Sequence, residues 1–163
     1  MVPAKGYLEE DFNLKEITQR LENHINKFPG NISKFSEEEL QKRPSENKWS
    51  KKEILGHLID SAINNLKRFT DIQFSPSPYV VTTYSQVDLV IVNRYNDLPL
   101  EHLLNLWTSL NNQIVYVIIN MPPDKLELPV DPQYGGKELR SLIWIIGDYV
   151  AHMEHHFKQI FNH

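Results

Sequence analysis

The 163-residue sequence predicts an all-α fold, a four-helix bundle with long crossover connections, on three observations. One helix-start signature occurs three times, four stretches repeat apolar residues at helical spacing, and the tract from Ser75 to Asn96 fits neither pattern. With 40% hydrophobic and 23% charged residues, and no internal repeat, the chain reads as one globular domain spanning 1–163.

The start signature is an aromatic, then Asn or Ser, two residues, Glu and an aliphatic. It reads Phe12-Asn13-x-x-Glu16-Ile17, Phe35-Ser36-x-x-Glu39-Leu40 and Trp49-Ser50-x-x-Glu53-Ile54. The polar residue caps free amides of the first turn, the Glu returns to the cap amide, and the two apolar residues form a hydrophobic staple. From the first start, Leu14, Ile17, Leu21, Ile25 and Phe28 form a stripe that Pro29-Gly30 is expected to end. The second opens a short helix, because Pro44 follows closely. The third opens a long one carrying Ile54, Leu55, Leu58, Ala62, Leu66 and Phe69.

Tyr79 to Thr83 is β-branched, yet a lone strand finds no partner in the sequence, so the 75–97 tract reads as a crossover with a short helix near Gln86 to Tyr95. The next helix is expected from Asp97 or Leu98, with Pro99 in its first turn, and closes at Pro122-Pro123. The last follows Gly135-Gly136, with Lys137 at the turn and Leu139, Leu142, Ile146, Tyr149, Val150, Met153, Phe157 and Ile160 on one face. Trp144 lies opposite that face and should meet the crossover or a partner chain.

Several function classes drop out on composition. Without cysteine there are no disulfides, thiolate ligands or cysteine nucleophiles. A net charge of -4, with lysines scattered singly among acidic residues, argues against nucleic acid. The longest apolar runs fall far short of the roughly 20 residues of a membrane span, and Met1 to Gly6 shows no apolar signal segment. A cytoplasmic location is expected.

The histidines carry the chemistry. Seven are present, and three sit in His152-Met153-Glu154-His155-His156. At about 100° per residue, His152 and His156 share one side of the helix, near Ile145 and Tyr149, while Glu154 and His155 point elsewhere. Two imidazoles one turn apart can chelate one ion from a rigid support. Met153 follows His152, so the His-Glu-x-x-His motif of zinc proteases is not met. A third ligand must come from another helix: His57, in a polar row with Ser61, Asn64 and Arg68, or His24, three residues after Leu21. The plain alternative is that these are hydrogen-bonded core histidines without a metal.

The segments Trp49 to Ser61, with Gly56-His57-Leu58-Ile59-Asp60-Ser61, and Asp148 to Ile160, with His152-x-x-His155-His156, together resemble the DinB-like superfamily, in its branch of YfiT-like metal-dependent hydrolases. The crossover Tyr84-Ser85-Gln86 to Asn93-Arg94-Tyr95-Asn96 and the Gly135-Gly136 turn extend the resemblance over roughly Arg43 to Phe161. It implies a metal held by His57, His152 and His156, a homodimer, and relatives that include thiol transferases. The sequence departs from the family pattern at Val87-Asp88-Leu89-Val90, where a Trp is usual, and at Lys137, where a Thr-like cap is usual.

Three neutral imidazoles leave a divalent ion, zinc or nickel first among those that suit, its full charge and an open position. The expected function is hydrolysis or transfer on a small-molecule substrate by water or a low-molecular-weight thiol, with Asp60 and Tyr149 as candidate acid-base or supporting residues. The alternative is a metal- or ligand-binding bundle without turnover, which closure of the site by a fourth protein ligand such as Glu154 or His24 would favour. A third reading, an interaction scaffold, predicts no metal at all.

Overall fold

In the computed structural model, which describes residues 6–8, 13–134 and 138–162, three capping boxes each open a helix. Asn13 caps α1 (Leu14–Ile32), Ser36 caps α2 (Glu37–Gln41) and Ser50 caps α3 (Lys51–Asp71), and each time the Glu three places on returns to the cap amide. Phe12, the aromatic of the first staple, lies outside the described residues. Ser50 is buried and also donates from Oγ to Asn96 Oδ1 at 2.6 Å, which ties the start of α3 to the end of the crossover.

The crossover carries α4 (Gln86–Asn93) and a single 3-10 turn, Tyr95–Asp97, before α5 (Leu100–Ile119). The chain closes with α6 (Leu142–Phe161). The long helices α1, α3, α5 and α6 form a four-helix bundle in which α5 and α6 each pack against both α1 and α3. Helices α3 and α6 are therefore neighbours, which is what brings their histidines together. Between the helices lie Ile17 and Leu21 of α1, Leu55 and Ile59 of α3, Leu103 and Trp107 of α5, and Ile146 and Met153 of α6, all buried.

The structure departs from the sequence expectation in four places. Helix α1 runs through Pro29 to Ile32, because the fully buried Ile32 continues the face of Phe28 and its burial outweighs one missing amide bond. Tyr79 does find strand partners: β1 (Tyr79–Val80) pairs in parallel with β2 (Pro129–Asp131), which pairs antiparallel with β3 (Arg140–Ser141). These strands are two or three residues long and distant in sequence, too short for any period to show. Helix α5 starts only at Leu100, after the 3-10 turn, with Pro99 at its cap. Helix α6 starts at Leu142 with Ser141 as its cap, because residues 140–141 are held as strand by β2 and the amides of Leu142 and Ile143 donate to Leu128 and Leu126 carbonyls. Leu139 is thus outside the helix and about half exposed. The Gly135-Gly136 turn and Lys137 lie outside the described residues.

Gly56 in α3 allows a close helix-to-crossover approach near the histidines. A Cβ there would lie 2.1 Å from Cγ and Cδ2 of Tyr95, whose ring is buried and whose hydroxyl donates to Asp60 Oδ1 at 2.6 Å. Gly56→Ala is expected to destabilise the protein by about 1–3 kcal/mol through displacement of Tyr95. Urea denaturation reads this directly, and an unchanged midpoint would show that Tyr95 is not seated on α3.

Candidate metal centre

Helix α3 presents His57 from its second turn, and α6 presents His152 and His156 one turn apart, against the same point of the α3–α6 seam. One ring nitrogen of each lies within 4.8 Å of those of the other two. His57 Nε2 and His152 Nε2 are 3.0 Å apart, and the ring centroids are separated by 4.6 Å for His57–His156 and for His152–His156. All three rings are buried. Among the described residues the cluster contains these three side chains and no fourth.

The outer ring nitrogens have unequal support. His156 Nδ1 lies 2.7 Å from Gln159 Oε1, so it carries the proton and Nε2 keeps a free lone pair. Ser61 Oγ lies 3.4 Å from His152 Nδ1. His57 Nδ1 is buried with no hydrogen-bond partner among the described residues, while the Trp49 ring covers that imidazole at a centroid distance of 5.1 Å.

Burial makes all three imidazoles poor bases toward protons. Desolvation, then the neighbouring His156 ring, lowers His57 to about 3. Desolvation lowers His156 to about 4 against the opposing bond from Gln159. His152 lies well below its ordinary value, from burial first and then the adjoining imidazoles. The rings are neutral near pH 7, the state that ligates a metal. Metal-free, three neutral rings cannot satisfy one another: if His57 Nε2 donates to His152 Nε2, then His57 Nδ1 is a bare buried acceptor. A cation among the inward lone pairs satisfies the three facing nitrogens together and leaves the His57 proton on Nδ1, beneath the Trp49 ring. The 3.0 Å edge also suits two imidazoles sharing an ion at about 2.0–2.1 Å. The donor set therefore fits a divalent metal.

Other residues singled out from sequence are placed elsewhere or beside the cluster. His24 lies outside it and pairs with Glu154 at 2.8 Å, and Glu154 also takes Arg20, so neither side chain is turned to the centre. His102 is exposed, and His163 lies outside the described residues. Asp60 Oδ1 accepts from Tyr95 and Asn93, and its Oδ2 is buried without a partner among the described residues. The Tyr149 hydroxyl donates to Asn111 Oδ1 at 2.6 Å, and burial pushes its pKa up. Trp144 packs near Tyr134 and beneath the Arg140 guanidinium.

Beside the histidines is a cavity of about 250 Å³, lined from α3 by Ser61, Asn65 and Arg68 and from α6 by Asp148, Tyr149 and His152. In the polar row of α3, Asn65 takes the place expected for Asn64, whose side chain instead donates to the Asp60 carbonyl. Sequence reading missed Tyr7, Tyr134 and Asp148. The Asp148 carboxylate accepts from the Tyr7 amide, the Leu8 amide at 2.9 Å and the Tyr134 hydroxyl at 2.6 Å. Burial raises the pKa of Asp148 and these bonds oppose the rise. The Tyr7 ring meets His152 edge-on at 4.9 Å. Asp148 precedes His152 by one helical turn, and that spacing was its one visible signal.

Comparison with known proteins identifies the family and the fold. The profile of the DinB superfamily matches residues 14–160. A protein of Oceanobacillus iheyensis that carries the provisional name of metal-dependent hydrolase is 24% identical over 164 residues, 98% of this chain and 88% of its own length. A Halalkalibacterium halodurans protein of the same provisional name is 28% identical over 126 residues, 77% of this chain and 71% of that protein. Among solved structures, YfiT of Bacillus subtilis, described as "a probable metal-dependent hydrolase with an unusual four-helix bundle topology", has the same fold. Its TM-score is 0.82 at 18% identity, over 95% of this chain and 89% of YfiT. A mycothiol-dependent maleylpyruvate isomerase shares the fold with a TM-score of 0.64 at 15% identity, over 96% of this chain and 62% of the isomerase. Because the profile runs from the first turn of α1 to the last turn of α6, the chain belongs to the DinB superfamily.

Proposed function

We propose that the protein is a metal-dependent enzyme in which His57, His152 and His156 hold one divalent ion, zinc or nickel, for hydrolysis or group transfer on a small molecule in the adjoining cavity. The observation that carries this reading is that His152 belongs both to the three-imidazole cluster and to the cavity wall. A ligand in the cavity thus has direct access to the centre. The ion would supply Lewis-acid activation of a water or a low-molecular-weight thiol nucleophile. A thiol brought from outside suits a chain that has no cysteine, and one structural neighbour is by name mycothiol-dependent.

The chain's own residues hold the geometry. Gln159 fixes the tautomer of His156, Ser61 faces Nδ1 of His152, and Trp49 covers His57. The Tyr7 ring stands edge-on to His152 at 4.9 Å and lines the cavity beside it. Glu154, engaged with Arg20 and His24, does not close the coordination sphere and neither does His24, which favours turnover over a sealed storage site.

Elemental analysis of tag-free protein never exposed to a nickel column is expected to give about one divalent ion per chain. That ion should be lost in His57→Ala and His156→Ala, and held about 10–100-fold more weakly in Gln159→Leu. Loaded protein should then turn over in hydrolysis or thiol-transfer screens. Metal retained in His57→Ala and His156→Ala would remove this reading, and stoichiometric metal without turnover would leave a binding bundle.

A pH dependence follows from the buried imidazoles. Each is harder to protonate folded than unfolded, so as pH falls below about 6.5 the unfolded chain takes up protons first and the metal-free fold loses stability. For His156 the loss continues to about pH 4, and for His57 to about pH 3. Each group contributes on the order of 1.4 kcal/mol per pH unit within its window. Denaturation of metal-free wild type and His156→Ala between pH 7 and 4.5 isolates one imidazole. The wild type should lose stability more steeply, and parallel curves would contradict a buried neutral His156.

A further inference from the structure

The cavity is polarised along its length. Ser61, Asn65 and Arg68 line it from one face of α3. Ser61 stands against His152, whereas Arg68 is seven residues farther on, about 10 Å along the axis. At that far end Arg68 Nη2 donates to the Thr82 carbonyl at 3.0 Å, Nη1 lies 3.4 Å from Asn65 Oδ1, and the guanidinium carbon is 5.7 Å from the centre of the Tyr84 ring. Among the described residues, three of its five N–H donors are left over.

Arg68 is also electrostatically unlike the other arginines. Of the five in the chain, Arg20 is paired with Glu154, Arg43 with Glu53, Arg94 with Asp97 and Arg140 with Glu138. Among the described residues Arg68 has no carboxylate within 4.0 Å. The carboxylate that does line the cavity, Asp148, has both oxygens occupied, Oδ1 by the Tyr7 and Leu8 amides and Oδ2 by the Tyr134 hydroxyl. A partly desolvated guanidinium with a fixed backbone anchor, spare donors and no counter-ion is a seat for a planar anion.

We propose that Arg68 binds a carboxylate of the substrate, so that the molecule handled here is a small organic acid whose other end reaches the His57–His152–His156 centre. This rests on the metal-site reading above. Asn65 and Thr82 position the guanidinium, and Tyr84 flanks it. The span between the two ends acts as a ruler: too short an acid reaches one end only.

The test uses the full chain loaded with Co²⁺ and a series of ω-mercapto acids from 3-mercaptopropionate to 8-mercaptooctanoate, each beside its uncharged methyl ester. The thiolate-to-cobalt charge-transfer band reports binding. At the matching chain length the acid should bind at least tenfold more tightly than the ester. Arg68→Gln should abolish that preference and Arg68→Lys should retain part of it, with cobalt uptake the same in all three proteins. Equal binding of acid and ester by the wild type, or a preference that survives in Arg68→Gln, would overturn the assignment. If cobalt is not taken up, the metal reading has failed instead. Calorimetric titration of metal-free wild type and Arg68→Lys with the same acids and esters then decides the anion seat. Heat specific to the acids and weakened by Arg68→Lys supports it, and no acid-specific heat removes it.

Discussion

Three imidazoles packed ring to ring inside a helical bundle are the constraint on which the rest of this structure depends. Burial keeps them neutral, and with Gln159 and Ser61 at the outer nitrogens of the α6 pair the free lone pairs are left for one another. A neutral imidazole has one donor and one acceptor, so no proton arrangement satisfies all three while His57 Nδ1 has no partner among the described residues. An apolar trio in the same place would stabilise the bundle better. A cation that takes the inward lone pairs removes the competition among the facing nitrogens, and a site of this kind costs stability in the metal-free state in order to bind.

The surrounding fold holds that arrangement from several sides. The capping box at Ser50 sets where α3 begins, two turns before His57, and its link to Asn96 fastens the crossover to the same point. Gly56 lets the Tyr95 ring lie against α3 next to His57. On α6, Glu154 projects away from the centre into the Arg20 and His24 side chains of α1, which fixes the rotation of the helix and therefore the facing of His152 and His156. Asp148, one turn earlier, draws in the backbone of Tyr7 and Leu8 and the Tyr134 hydroxyl to build the cavity wall. Chemistry and packing thus use alternate faces of the same helix.

Much of this was legible in the sequence because it is local. The three capping boxes are four-residue patterns, and each one opens a helix. The four-residue spacing of His152 and His156 is a statement about one helical face, and the offset of His57 from its apolar stripe is another. What escaped detection depends on residues far apart in the chain. The β1–β2 pairing joins positions some fifty residues apart. That pairing, continued to β3, keeps Arg140 and Ser141 out of α6 and makes Ser141 its cap. Burial of Ile32 carries α1 past a proline that local rules read as a stop. Tyr7 carries no periodic signal at all, and it reaches the cavity through its amide bond to Asp148 and its ring contact with His152, both distant in sequence. Arg68 was visible as a member of a polar row, but its lack of a counter-ion among the described residues appears only once the other four arginines are seen in their pairs.

The central claim is that the three inward ring nitrogens share one ion, and X-ray absorption at the metal edge of loaded, full-length protein tests it most directly. The account predicts three nitrogen scatterers at about 2.0–2.1 Å, with the outer-shell pattern of imidazole carbons and at least one further light ligand from solvent. Oxygen-only coordination, or a single imidazole in the shell, would contradict it and return His57, His152 and His156 to the role of core residues.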